Sequence, residues 1–167
     1  MRRILGVIDV ISEWTGRIFS WTVVVLTVLV VLEVFMRRMF NRPTIWNFEV
    51  TIQLYAFFFM IVAAHALLRR SHVAVDVVYL LFSRRTRAIL DVITYLIFFF
   101  PFLITLLYEG SRYAAESWAV KEKSWSVFAP PLYPIKTVIP VMAFLLLLQG
   151  LAIFIRQLHM AIKGEEL

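Results

Sequence analysis

The sequence predicts an all-α integral membrane protein, a four-helix bundle with short interfacial helices and both termini cytoplasmic, and three observations predict it. Of 167 residues, 62% are apolar or aromatic and 17% charged, against about 45–50% and about 25% in soluble domains, so a water-soluble fold could not hide the surplus. Four apolar runs approach the roughly 20 helical residues that cross a hydrocarbon core of about 30 Å. The Lys and Arg residues cluster between those runs, which is how a polytopic chain marks its membrane boundaries.

The first element, residues 2–16, is expected to be an interfacial helix. Ile4, Leu5, Ile8, Ile11 and Thr15 share one helical stripe, while Arg2, Asp9, Ser12 and Glu13 lie elsewhere. A signal peptide fits poorly, because the acids interrupt the apolar run early and no small-x-small cleavage site follows. The spanning runs are 18–36, 50–68, 89–108 and 138–155. They are apolar on every face, whereas transmembrane strands alternate lipid-facing and lumen-facing residues. Residues 73–82 include Asp76 and are too short to span; between Arg69, Arg70 and the Arg84, Arg85, Arg87 group they read as an interfacial segment.

Orientation follows from the positive charges. Arg2, Arg3, Arg17, Arg69, Arg70, Arg84, Arg85, Arg87, Arg156 and Lys163 fall on one side, and Arg37, Arg38, Arg42, Arg112, Lys121, Lys123 and Lys136 on the other. The majority side is assigned to the cytoplasm, which leaves Arg37, Arg38 and Arg42 on the exported side. Trp46, Phe48, Trp118, Trp125, Phe128 and Tyr133 gather in the two outer loops, where amphipathic rings favour the headgroup layer. The third helix is expected to run past the membrane, with Arg112 and Glu116 paired at i, i+4. Pro130 and Pro131 are expected to end that outer segment, Pro134 and Pro140 to flank the start of the fourth helix, and Pro101 to kink the third. The chain reads as one domain, 1–167.

Few groups inside the runs could carry chemistry. An unpaired charge at mid-membrane costs about 2.5–3.5 kcal/mol on insertion scales. Glu33 stands four residues before Arg37, and a local ion pair accounts for it. Asp91, near the start of the third run, suits the positive end of a helix. Gln53 and Gln149 read as hydrogen-bonding glue between helices. His65 is the one imidazole within a run, with His72 and His159 outside, so a bis-histidine haem site is disfavoured. No nucleophile triad, phosphate loop or metal-ligand spacing is present, and there is no Cys. The net charge of +6 is not arranged along a soluble recognition face, which argues against nucleic acid. These readings point away from an enzyme, and also from a self-sufficient transporter, since those build midplane sites from broken helices.

What remains is polar material at the membrane boundaries. Trp46, Asn47, Phe48 and Glu49 open the second helix in a W-x-x-E pattern. Ala63, Ala64, His65, Ala66, Leu67 and Leu68 lead into Arg69, Arg70 and Ser71, followed by His72, Val73, Ala74, Val75 and Asp76 as H-[VI]-x-[VI]-D. His72 and Asp76 are spaced to pair on one helical turn. In these residues the chain resembles the small, four-helix DctQ-like membrane subunit of tripartite ATP-independent periplasmic (TRAP) transporters. Trp118 with Glu122, and the prolines through Pro140, fit more loosely. One departure is Ala63 or Ala64 where the family usually carries glycine.

The resemblance implies a subunit of a bacterial or archaeal cytoplasmic membrane that binds a larger polytopic transport subunit, while a periplasmic substrate-binding protein delivers the substrate. Substrate and sodium sites would lie on the partner, with no cofactor in this chain, and uptake would be of organic acids of the C4-dicarboxylate or sialic acid class. Trp46, Glu49, Arg69, Arg70, His72, Asp76, Arg112 and Trp118 are the expected docking or anchoring residues. The rival readings are a homo-oligomeric channel or exporter, for which Glu33 is the available acid, and a membrane anchor for a redox complex.

Overall fold

The computed structural model describes residues 2–69 and 82–164. Their regular structure is helical: α1 (Arg2–Phe19), α2 (Thr22–Met39), α3 (Asn47–Leu68), α4 (Arg84–Thr94), a π-helical turn (Tyr95–Phe99), α5 (Phe100–Ala119) and α6 (Tyr133–Lys163). Four helical stretches are long and apolar enough to cross a bilayer, at Arg3–Met39, Asn47–Leu68, Arg84–Ala119 and Tyr133–Lys163. The chain thus has the all-helical, four-span architecture its composition predicts. Arg70, His72, Asp76 and nearly all of segment 73–82 lie outside the described residues.

The organising element is α6, which packs against α1, α3, α4 and α5, while α2 leans on α3. Its buried positions are Ala143, Gln149, Gly150 and Ala152, mostly small residues that let backbones approach where lipid gives no hydrophobic drive for helix association. Gly150 faces Phe99, whose ring edge would lie 2.1 Å from an added Cβ. Phe99 belongs to the π turn, in which the Phe100 amide reaches back five residues to the Tyr95 carbonyl. Pro101 explains that turn. A proline has no amide for the helical ladder and its ring crowds the carbonyl four residues back; one wider turn just before it accommodates the misfit without breaking the helix.

Three local expectations are revised. On α1 the inward face is Leu5, Ser12 and Gly16, all buried, while Ile4 and Ile11 of the apolar stripe are exposed, together with Val7, Val10 and Trp14. An interfacial helix turns its apolar stripe toward lipid, and Ile4 and Ile11 keep to that; Leu5, on the same stripe, turns inward instead, beside the polar and small residues that hold helices together in lipid. The second revision concerns Asp91, which stands two turns inside a helix that begins at Arg84, with no acid in its first turn. The cap is Ser83, whose hydroxyl accepts the Thr86 amide at 3.2 Å. Third, α5 stops at Ala119, well before Pro130, because Lys121 adopts a left-handed backbone with φ 47°.

Both chain ends lie at one end of the bundle: Arg156 of α6 pairs with Asp9 of α1, and Arg85 Nε donates to the Ala161 carbonyl at 3.0 Å. This is the terminal end. The opposite, loop end carries the connections 40–46 and 120–132.

Candidate functional site

Polar side chains collect at the two membrane boundaries, and each cluster is set by helix geometry. At the terminal end, Asp9, Ser12, Glu13 and Gly16 follow a 3-4 spacing that places them on one side of α1. Ser12 Oγ donates to Gln149 Oε1 at 2.8 Å, and Gln149 Nε2 donates to Asp9 Oδ1 at 3.1 Å. Arg156 donates to both oxygens of the same carboxylate, through Nη1 at 3.3 Å and through Nη2. A two-nitrogen fork on a carboxylate is among the stronger polar contacts. Gln149 is fully buried and bonds across helices, as its residue type led one to expect.

A turn further along α1, Glu13 Oε1 accepts from Arg69 at 2.6 Å and from Arg17 at 3.2 Å, and its other oxygen lies 3.6 Å from His65 Nδ1. The His65 ring fills the space beside Gly16, where a Cβ would come within 2.1 Å of it, so His65 is a packing partner of α1. Arg69, anticipated as an anchor at the end of α3, therefore anchors α1 within this chain. Among the described residues no group of three or more His, Asp or Glu side chains could hold a metal ion.

At the loop end, Glu33 does more than pair with Arg37, which it meets at 3.1 Å. Its second oxygen accepts the Thr44 amide at 3.3 Å and the Thr44 hydroxyl. Glu33 thus closes the loop that returns α2 to α3, helped by Asn41, an Asn in the left-handed region that it tolerates better than most residues. Asn47, next to Trp46, is buried, and its Nδ2 donates to the Leu29 carbonyl at 2.9 Å, clamping α3 to α2. Trp46 precedes α3 as its cap residue, and Glu49 sits in the first turn. The Oε2 atom of Glu49 and the Nε2 atom of Gln53, one turn on, are both buried without a hydrogen-bond partner.

The second outer connection folds onto α5 and α6. Trp118 Nε1 donates to Thr137 Oγ1 at 2.8 Å, and its ring lies 4.4 Å from that of Tyr133. Glu122 pairs with Lys136, whose ammonium stands 3.9 Å from the centre of the Tyr113 ring. The Lys136 ammonium holds the Glu122 carboxyl below its usual range. Backbone bonds from Leu132 to Glu122 and from Ser124 to Pro130, both 2.9 Å, close the hairpin. Arg112 pairs with Glu116 at 3.7 Å as spaced, and also with Glu109 at 3.5 Å.

The structure thus brings Arg69 into one cluster and Trp118 into another, leaves Trp46 and Glu49 at a third site, and keeps Arg112 on an exposed face. The residues sequence reasoning missed are Asp9, Ser12, Glu13, Arg156, Glu122 and Lys136. For α1 a signal existed, the 3-4 spacing of polar and small residues; for the other three there was no local one, because Arg156 meets Asp9 through helix packing and Lys136 meets Glu122 through the path of a connection, neither of which one sequence reveals.

The comparisons with known proteins can be set against this geometry. A search of curated proteins gave no match. A family model described as tripartite ATP-independent periplasmic transporters, DctQ component, matches residues 26–160, which takes in the chain from the second turn of α2 almost to the end of α6. That span includes Trp46, Glu49, the 63–76 motif region and the outer hairpin. On four membrane-crossing helices and this match, the chain belongs to the DctQ family, the small membrane component of TRAP transporters.

Proposed function

We propose that this chain is the stationary scaffold of its transporter, widening the platform against which a larger transport subunit moves during sodium-driven, binding-protein-dependent uptake of an organic acid. The observation that carries the reading is the use of the polar groups. Gln149, Asp9, Arg156, Glu13 and Glu33 bond to other parts of the same chain, and the spanning stretches present mostly apolar outer surface, with between 6% and 22% of each buried inside the chain. Such a bundle offers broad faces to lipid or to another membrane protein. It also weakens the channel reading, since Glu33, its candidate acid, is engaged by Arg37 and Thr44.

The terminal end faces the cytoplasm in this proposal. Trp46 and Glu49 then set the outer docking end, the buried Oε2 of Glu49 being a carboxylate oxygen without a hydrogen-bond partner in this chain, which a small side-chain turn would offer to a donor from a partner. Arg69, Arg70, His72 and Asp76 set the inner end; the last three rest on sequence alone. The C4-dicarboxylate and sialic acid classes are the substrates the family resemblance favours, and the groups that select among them belong to other chains.

Reconstitution tests the proposal. The tagged chain in mild detergent should co-purify a large polytopic subunit, and sodium-driven uptake into liposomes should require both chains plus the binding protein. Uptake by this chain alone, or undiminished uptake by the large subunit without it, would overturn the scaffold role. Glu49→Ala and Asp76→Ala should each reduce recovery of the complex; unchanged recovery in both would remove the docking assignment.

A further inference from the structure

The arginines at the loop end are not accounted for by the scaffold reading. Arg37, Arg38 and Arg42 follow directly on the apolar run of α2, on the side where a membrane protein usually keeps positive charge low. Arg37 is committed to Glu33. Arg38 and Arg42 are exposed, and their side chains make no hydrogen bond or ion pair among the described residues.

Beside Arg38, between α2 and α3, lies an open groove of about 370 Å3. Its walls are Val30, Val34 and Phe48; Glu33, Arg37 and Arg38 line it as well. Glu33 is neutralised by Arg37 and also held by Thr44, so the charge left over in the groove is the Arg38 guanidinium. From Arg38 back to Val30 is eight residues of helix, about 12 Å at about 1.5 Å per residue. The apolar walls therefore run from the boundary marked by the arginines into the depth of the hydrocarbon.

A cation at headgroup level followed by an apolar channel pointing into the bilayer has the polarity of one ligand class. We propose that this groove is a phospholipid site, with the lipid phosphate on Arg38 and one acyl chain lying along Val34 and Val30 against Phe48. A guanidinium presents several donors to phosphate oxygens in a planar fork, and a soluble anion would leave the apolar walls unused. The exposure of Val34 and Phe48, at 56% and 70%, leaves the groove open sideways toward lipid. The lipid would fill the gap where α2 leans on α3, which fixes the arm of the bundle that has fewest contacts with α6.

The test uses the full chain purified in detergent, stripped of lipid and titrated with phosphatidylglycerol, with bound lipid counted by native mass spectrometry. One phosphatidylglycerol should be retained by the unaltered chain. Arg38→Gln should weaken it at least tenfold, Val34→Trp should fill the groove and exclude it, and Arg42→Gln should change it little. The exposed Arg38 side chain makes no hydrogen bond or ion pair among the described residues, so Arg38→Gln stays informative even where the bulkier variant folds poorly. Equal retention by all variants would show a non-specific lipid shell and overturn the site. An effect of Arg42→Gln as large as that of Arg38→Gln would show a general charge effect and overturn it too. Glycerol 3-phosphate competing as well as the whole lipid would show a soluble-anion site, again against the proposal. The chain has no Cys, so Phe48→Cys gives a single crosslinking position. Efficient crosslinking of it to the large subunit in the assembled transporter, with no lipid retained there, would make the groove a protein interface instead.

Discussion

Asp9 takes hydrogen bonds from two residues of one other helix, Gln149 and Arg156. Removing one partner of a fully buried ion pair costs about 3–5 kcal/mol. Asp9 and Arg156 are 27% and 36% exposed in their side chains, so solvent screening reduces that sharply, and Arg156→Met should cost about 1–2 kcal/mol. Thermal unfolding in detergent reads this, and Asp9→Asn combined with Arg156→Met should recover part of the loss. Glu122 makes a prediction about pH. Its carboxyl is held below the ordinary value of about 4.3 by Lys136, so its contribution is complete above that value and fades as pH falls through the lower folded value. Protection of the Leu132 amide, whose N–H bonds the Glu122 carbonyl, measured relative to an unfolded chain at the same pH, should therefore fall in acid, and Glu122→Gln should abolish that dependence. At this scale the sequence was legible where partners are four residues apart, as for Glu33 with Arg37 and Arg112 with Glu116. Asp9 with Arg156 was not, since a pair from opposite ends of a chain is defined by helix packing and leaves no local trace.

Among the elements, the π turn and α6 form a tight fit. An added methyl at Gly150 would meet the Phe99 ring at 2.1 Å, and inserting atoms into a filled site costs typically about 1–3 kcal/mol. Gly150→Ala should lower the unfolding temperature accordingly, and Phe99→Leu in the same chain should restore part of it; no coupling between the two would refute the contact. The elements themselves were largely readable, because four long apolar runs have no soluble alternative. Their extents were not. The span read as 89–108 lies in a helix that runs with its π turn from Arg84 to Ala119, past the span as expected, and the span read as 138–155 lies in one from Tyr133 to Lys163. Hydropathy reports the portion in hydrocarbon, whereas Ser83 capping determines where the helix starts and the left-handed Lys121 backbone where it stops. On α1 the apolar stripe marked the outward side through Ile4 and Ile11, whereas Leu5 of the same stripe turned inward beside Ser12 and Gly16.

For the whole molecule, family membership was legible because the motifs that carry it, W-x-x-E and the basic run before Asp76, are contiguous. The docking faces were not, since a subunit that bonds its own polar groups internally leaves an apolar exterior on which one patch resembles another. A scaffold of this kind should leave the substrate affinity of the assembled transporter unchanged when its own surface is altered, while shifting how much complex forms. Tryptophan substitutions along the exposed positions of α2 and α3, scored separately for complex yield and for half-saturating substrate concentration, check this; a change in the second without the first would argue for direct contact with substrate. The fastening of α1 has a bearing on biogenesis. Its bonds to Gln149 and Arg156 bridge 137, 140 and 147 residues, so α1 leaves the ribosome long before α6 and waits for it to find its neighbours. Until then a carboxylate and a hydroxyl stand bare, and a nascent chain arrested before residue 149 should be conspicuous to the quality-control proteases of its membrane.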